Sequence, residues 1–350
     1  MIYNLKSVKE TDVKGKNVLL RVDLDVPIKN GNIEDTTRLE AWFETFEYLV
    51  RQGAVVILAG HLGRPNGKDD KLTLLPIVNV ISKKINSKQE KTTIGEFEGW
   101  KLAENVFVLE NLRFFKGEEE NDSEFAKKLA SLANIYVNDA FASSHRNHAS
   151  IVGVTKFIPS FAGLRLLKEV EVLSQVLENP KRPLCVIIGG AKIETKLPLV
   201  EKMHAFGDFV LVGGEIAENT KVLLRVQHEK LSGKRSILLV ADLTQSTKDI
   251  TLKSAENFVQ VCQSASTIVW NGPMGLVEEK EYEKGTGILA NGIVNLGAYK
   301  IVGGGDTIAF LRKHNLLDKF DFVSTGGGAM LEFLSGVKLP GFEALIKIDA

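Results

Sequence analysis

Short β-branched runs, each ending on glycine, aspartate, asparagine or histidine, recur along the whole chain and leave it few folds. In the first half they are "VLLRVDLDVP", "AVVILAGHLGRP", "VFVLENLRFF" and "IYVNDAFASSHRNH". In the second half they are "LCVIIGGAK", "FVLVGGE", "SILLVAD", "TIVWNGPMG", "YKIVGGGDT" and "FVSTGGGAM". Amphipathic patterns of helical period lie between them, such as "TRLEAWFETFEYLVRQG" and "SEFAKKLASLA". Continuous apolar strands alternating with helices specify a parallel sheet covered on both faces. At 350 residues the chain exceeds what one compact core usually takes. The expected fold is α/β: two doubly wound parallel-sheet, Rossmann-like domains with a cleft between them.

The segment "PSFAGLRLLKEVEVLSQVLENPKRP" carries a helical pattern from about Ala162 to Leu177 and stops at Asn179–Pro180. It reads as a linker helix. The expected division is an N-terminal domain over 1–160, a linker over 161–179 and a C-terminal domain over 180–335, with the tail 336–350 packing back on the first domain. Lys+Arg and Asp+Glu both total 44, so no net positive field draws nucleic acid or membrane. Cys185 and Cys262 lie far apart without metal spacing and read as core residues in a reducing compartment. The start of the chain has no apolar run of signal length, and no run reaches transmembrane length, so a cytoplasmic protein is expected.

Ligands of such sheets bind at the carboxyl ends of the strands, so the residues there carry the function. In the first half these are Arg21, His61, Arg64, Arg113, His145, Arg146 and His148, with Arg38 opening the first helix after "EDTT". Guanidinium forks match carboxylate and phosphate oxygens, and the set reads as a pocket for a small polyanion. A single arginine would be open to an ordinary salt-bridge reading; so many at successive strand ends are not. In the second half the strand ends are glycine clusters, with Lys192 and Lys196 nearby. Exposed amides in such turns bind phosphate, which points to a nucleotide. There is no GxxxxGK[ST] and no GxGxxG, which argues against a P-loop protein and against a dinucleotide-binding dehydrogenase. A polyanion pocket and a phosphate surface on separate domains suggest phosphoryl transfer, a chemistry of positioning and charge neutralisation.

"RVDLDVP", "HLGRP", "LENLRF", "VNDAFASSHRNHAS", "GGAKIETK", "WNGPMG", "VGGGDT" and "STGGGA", in this order, resemble the phosphoglycerate kinase family over almost the whole chain. The resemblance implies reversible phosphoryl transfer between ATP and 3-phosphoglycerate, with ATP/ADP and Mg2+, by hinge closure of a monomer. It also assigns residues. Asp23, Leu24 and Asp25 would lie on the hydroxyl side of 3-phosphoglycerate. Arg38, His61, Leu62, Gly63, Arg64, Arg113 and Arg146 would hold its carboxylate and phosphate, Arg38 moving its charge onto the transferring group. Lys192 and Lys196 would neutralise the phosphates. Gly190, Ala191, Gly213 and Gly214 would line the adenine side, and Asn271, Pro273 and Glu278 the ribose. Gly304, Gly305, Asp306 and Thr307 would hold phosphates, with Asp306 the magnesium ligand. Gly326, Gly327 and Gly328 would offer amides to the transition state. His145 and His148 would orient loops, and Asp23 is open to a structural reading as a partner of Arg21.

Three positions depart from the family's pattern: Asp25 for asparagine, Glu215 for a third glycine and Thr195 for aspartate. They motivate the alternative of a catalytically impaired member that acts as a ligand-binding module.

Overall fold

Hydrophobic runs too continuous to leave one face in water become the inner strands of two sheets. The computed structural model describes residues 3–226 and 236–346. The first half supplies β1 (Asn17–Arg21), a small hairpin of β2 (Ile28–Lys29) and β3 (Asn32–Ile33), β4 (Val55–Ala59), β5 (Glu90–Ile94), β6 (Phe97–Ala103), β7 (Val106–Leu109), β8 (Ile135–Asn138) and β9 (Ser160–Ala162). The main sheet runs β5-β6-β7-β4-β1-β8-β9. The second half supplies β10 (Leu184–Ile188), β11 (Phe209–Val212), β12 (Ile237–Val240), β13 (Thr267–Asn271), β14 (Tyr299–Gly303) and β15 (Phe322–Val323), ordered β12-β11-β10-β13-β14-β15. Every pair in that second sheet is parallel. By contact, the chain divides into Met1–Val172 with Lys338–Ala350, and Leu173–Val337.

The first sheet is not parallel throughout. β5 pairs with β6, and β6 with β7, in antiparallel fashion. This edge escapes a search for apolar runs because β5, "EKTTI", is polar and largely exposed. It is a hairpin on an edge, where one solvated side is tolerated. Gly95 at φ +60° makes its turn.

Both sheets reverse direction once. In the first, the chain places strands outward from β1 and then returns to β8 on the other side; in the second the same happens between β10 and β13. Loops leave opposite sides at such a point, and a crevice opens at the carboxyl ends of the two strands. The candidate residues after β1, β8, β10 and β13 lie at these two crevices.

The helix Leu164–Glu178 begins in the first unit and ends in the second. It starts later than its sequence pattern suggests, because Ser160–Ala162 pairs with β8 as a strand. Its first turn is tied down by Leu164 N on Thr45 Oγ1 and Leu166 N on Asp139 Oδ1, both at 2.9 Å. Burial pushes the Asp139 carboxyl up to about 7. The returning C-terminal segment buries Phe342 against Phe141, ring centroids 6.1 Å apart, and Gly341 N donates to the Ser144 carbonyl; residues 347–350 lie outside the described residues. Among the described residues, no helix is long and apolar enough to cross a membrane.

Candidate active site

The first crevice is built around a buried cation. Arg21 closes β1 and is wholly buried, so it does not reach a ligand as its strand-end position suggested. Its guanidinium donates to Ser150 Oγ at 2.9 Å, to the Val22 carbonyl, and to His61 Nδ1 at 2.8 Å. Arginine has no acceptor, so His61 Nδ1 must accept and the ring proton sits on Nε2. Nε2 lies 4.0 Å from Asp25 Oδ2. Burial, with the positive charge of Arg21, Arg113 and Arg146, holds His61 well below its ordinary value, so the ring is neutral at pH 7.

Four segments are stitched together here. Asp25 Oδ1 accepts from Gly63 N at 2.9 Å, and the Asp25 carbonyl accepts from the Arg38 guanidinium. Arg113 Nη1 donates to the Gly63 carbonyl at 2.6 Å. Arg113 Nε lies 3.1 Å from Glu119 Oε1, yet Nη2 is buried with no hydrogen-bond partner among the described residues. A buried unpaired donor is costly and rare. Burial and the charge of Arg146 lower the guanidinium pKa of Arg113, and burial with the charge of the exposed Arg64 and of Arg21 lowers that of Arg146. Cations gathered against their own repulsion, one with a buried donor unpaired among the described residues, are chemically suited to an anion.

Other expected members sit there differently. Asp23 is buried and does not pair with Arg21; its two oxygens accept from Ala142 N at 2.8 Å and Ser143 Oγ at 2.7 Å, fixing the turn after β8. The Leu24 and Leu62 side chains belong to the core, leaving only their backbone for a ligand. Two supports were not singled out in the sequence. Asn111, fully buried, accepts from Leu62 N and Arg113 N and donates to the Leu62 and Leu72 carbonyls, clamping the His61–Arg64 loop to Arg113. Glu118 hides in the acidic run "KGEEEND" but is fully buried. It accepts from Ser150 N at 2.9 Å and Ser150 Oγ at 2.5 Å, with His148 Nδ1 at 3.6 Å. Burial alone would raise its carboxyl; hydrogen bonds from His148 and Ser150 and the charge of Arg21 overcome this and hold it below the usual range. Glu118 thus holds the serine that holds Arg21. His148 is buried beside Glu118.

The second crevice uses backbone where the first uses side chains. A cavity of about 390 Å³ runs along the loops after β10, β11, β13 and β14, and Gly190, Ala191, Gly214, Pro273, Glu278 and Asp306 are among its lining. Gly190 (φ +86°), Gly214 (φ +68°) and Gly272 (φ +95°) have backbones that side chains rarely adopt, and the turns pack on one another. Gly190 N donates to the Pro273 carbonyl at 2.7 Å. Gly304 (φ +96°) precedes the helix Gly305–Lys313. A Cβ at Gly327 would lie 3.0 Å from Gly304 Cα, so the N-termini of that helix and of Gly327–Leu334 converge. Gly305 and Gly328 need no special φ, and a Cβ on either would meet nothing within 4 Å. Nothing among the described residues crowds these two positions, so their backbone stands open to approach.

Lys196 is buried, its ammonium donating to the Gly189 carbonyl. Burial drives its pKa down, Asp306 opposes this and Lys192 assists it, leaving it at about 8. Lys192 caps the same helix, Ile193–Phe206, and is exposed. Some expected ligand contacts are structural. Thr307 is fully buried with Oγ1 accepting from Gly272 N at 3.1 Å. Asn271 is buried and bridges toward the Gly327 carbonyl at 3.5 Å and Met330 Sδ at 3.7 Å. Gly213 is small because Met274 Sδ would lie 2.5 Å from its Cβ. The Thr195 side chain lies outside the described residues. The sequence reading missed Thr247, Lys248 and Leu276, which also line the cavity. Thr247 and Lys248 come from a loop without a glycine cluster and Leu276 lies just past the "NGPMG" turn; they are held by Leu276 N on the Lys248 carbonyl and by Asp249, which accepts from Ile250 N and Gly285 N.

Asp306 is exposed in the cavity wall at a helix N-terminus, and no group of three His, Cys, Asp or Glu gathers among the described residues. A lone carboxylate beside a phosphate cradle suits a small hard dication that keeps water and phosphate oxygens as its other ligands.

The phosphoglycerate kinase family model matches residues 8–232 and 220–337. A phosphoglycerate kinase of Dictyoglomus turgidum is 40% identical over 385 residues, spanning 97% of each chain. The structure of phosphoglycerate kinase from Coxiella burnetii matches with a TM-score of 0.81 at 33% identity, covering 97% of this chain and 98% of that one. The crystal structure of the Pyrococcus horikoshii OT3 enzyme matches with a TM-score of 0.82 at 29% identity and the same coverage.

Proposed function

The chain belongs to the phosphoglycerate kinase family, a phosphotransferase with a carboxyl group as acceptor, and we propose how its residues divide that work. The reaction is reversible: 1,3-bisphosphoglycerate and ADP give 3-phosphoglycerate and ATP. We assign the acid substrate to the arginine crevice. Arg113, Arg146 and Arg64 hold its anionic groups, the backbone of Asp23–Asp25 and Leu62–Gly63 frames it, and neutral His61 donates from Nε2. We assign the nucleotide to the glycine-lined cavity, with Gly190, Ala191 and Gly214 toward the base, Pro273 and Glu278 toward the ribose, and Gly304 and Gly305 toward the phosphates, while Gly213, Asn271 and Thr307 support these loops from behind.

Magnesium, held by Asp306 together with phosphate oxygens, would supply charge neutralisation on the nucleotide. The remaining work is done by the chain. Lys192 and Lys196 offset charge on the transferring group, and the amides of Gly326, Gly327 and Gly328 at a helix N-terminus receive its oxygens. Arg38 leaves the Asp25 carbonyl to add its fork to the same group. Both pockets must meet around one phosphoryl group with water excluded, which hinge closure of the two units accomplishes. We read the protein as a cytoplasmic monomer.

The observation that carries this division is Arg113: a buried guanidinium whose Nη2 has no acceptor among the described residues, beside Arg146 and Arg64. A coupled assay with ATP, Mg2+ and 3-phosphoglycerate tests it. Turnover is expected, lost with Arg113→Ala. Calorimetric binding of nucleotide without turnover would turn the reading to a ligand-binding module.

A further inference from the structure

We propose that Glu215 sets the base preference of the nucleotide cavity, and that this chain takes guanine nucleotides at least as well as adenine nucleotides; this rests on the nucleotide reading above. The order of strands fixes the two ends of the cavity. Its phosphate end is at the β14 loop, where Asp306 and the converging helix N-termini lie. Its other end is at the β11 loop, which carries Gly214 and Glu215. β13 and β10 stand between β14 and β11. Three inter-strand steps separate the ends by about 14 Å, the reach of an extended nucleotide with its base at the β11 end.

Glu215 is exposed into that end, and its carboxylate has no hydrogen bond or ion pair among the described residues. Among the described residues, Lys248 is the only cation of the cavity lining, and Glu215, Glu278 and Asp306 are its carboxylates. Lys248 is fixed on the loop that follows β12. Its ammonium lies 3.1 Å from Glu279 and 4.7 Å from the Tyr282 ring centroid. The preceding Thr247 is held at φ +58°, a conformation that β-branched residues avoid unless their surroundings impose it. The base end therefore presents an acceptor-only carboxylate and a donor-only ammonium.

Those two groups fit guanine. Its N1–H and exocyclic N2–H stand side by side and match both oxygens of a carboxylate, while O6 accepts from an ammonium. Adenine offers the N6 amine next to the N1 lone pair. A carboxylate there gains one bond and faces one repulsion, and the ammonium finds no acceptor on the amine. A site that pairs with a particular N–H discriminates against the base lacking it.

Calorimetry of ADP and GDP with the native protein, Glu215→Gln and Glu215→Gly tests this, with ATP and GTP compared in the coupled assay. Native affinity for GDP is expected to equal or exceed that for ADP. Both variants should move the ratio toward ADP about tenfold, since a hydrogen bond to a charged group in a partly exposed site is worth that much. Unchanged thermal unfolding would show that the variants fold. A native preference for ADP, or a ratio that neither variant moves, overturns the role of Glu215 while leaving the nucleotide site intact. Failure of either nucleotide to bind or turn over overturns the nucleotide reading itself, and this proposal with it.

Discussion

The two crevices occupy equivalent places in two similarly wound sheets and solve one problem, holding phosphate, by opposite means. The first collects side-chain cations. Their repulsion must be contained, and the containment is buried: Glu118 holds Ser150, Ser150 holds Arg21, Arg21 holds His61, and Asn111 clamps the loop to Arg113. The second collects backbone amides. Little charge needs containing there, so the demands fall on conformation, met by glycines at positive φ and by helix N-termini that nearly touch. A side-chain site therefore exposes its supports to mutation through hydrogen bonds, and a backbone site through sterics. The carboxylates differ in the same way: Asp25 is bonded into the first site, whereas Asp306 and Glu215 are exposed in the cavity wall of the second.

Replacing Lys196 by alanine should break the second site most severely. Its ammonium is a buried cation at that site, and a drop in kcat of about a thousandfold is expected with the circular dichroism spectrum unchanged. Turnover near the native rate would remove it from the chemistry. Arg38→Ala should lower kcat about a hundredfold and disturb KM little, because its charge matters chiefly in the transition state. A change confined to KM would make Arg38 a ground-state contact.

Glu118→Gln attacks the first site through its support and should cost about 2–3 kcal/mol in urea unfolding, as a buried charge partner is lost. Its folded pKa is depressed, so the stability it contributes is present above the ordinary carboxyl range and lost as pH falls through the folded value. The variant should lack that part of the acid-side loss. A paired glycine test sharpens the steric side. Gly304→Ala, at φ +96° and with its Cβ 3.3 Å from Asn271 Oδ1, should destabilise by about 1–2 kcal/mol. Gly305→Ala should leave stability within about 0.5 kcal/mol of native while weakening nucleotide binding about tenfold, since its Cβ meets only the ligand. Equal effects of the two on binding and stability would erase the distinction. The smallest effect is in pH. Because Lys196 titrates at about 8, kcat/KM for nucleotide should fall as pH rises past that value and its ammonium discharges, and Lys196→Arg should flatten that limb.

How far this was legible from the chain differs between the crevices for a physical reason. Glycine clusters and strand-end arginines are local signals, because a tight turn and a charged terminus write themselves into neighbouring residues. Asp25, Arg38, Gly63 and Arg113, with 88 positions between the first and the last, are joined by hydrogen bonds at the strand ends. Supports are not local. Glu118 sits in a run of acids that reads as a wetted surface, and only folding shows which one is buried. Arg21 has the same chemistry as Arg113 and the opposite duty. The polar hairpin edge β5–β6 and the strand Ser160–Ala162 also went unread, the first for want of an apolar run and the second because it adjoins a strong helical pattern.

The sequence by itself determined two wound α/β halves, an arginine-lined face in one and glycine turns in the other, because hydrophobic period and residue chemistry act over a few neighbours. Only tertiary structure decided which charges are inside, which glycines stand open to a ligand and which carboxylates remain unpaired. Burial and partnership depend on residues brought together from distant parts of the chain, and no short window contains them.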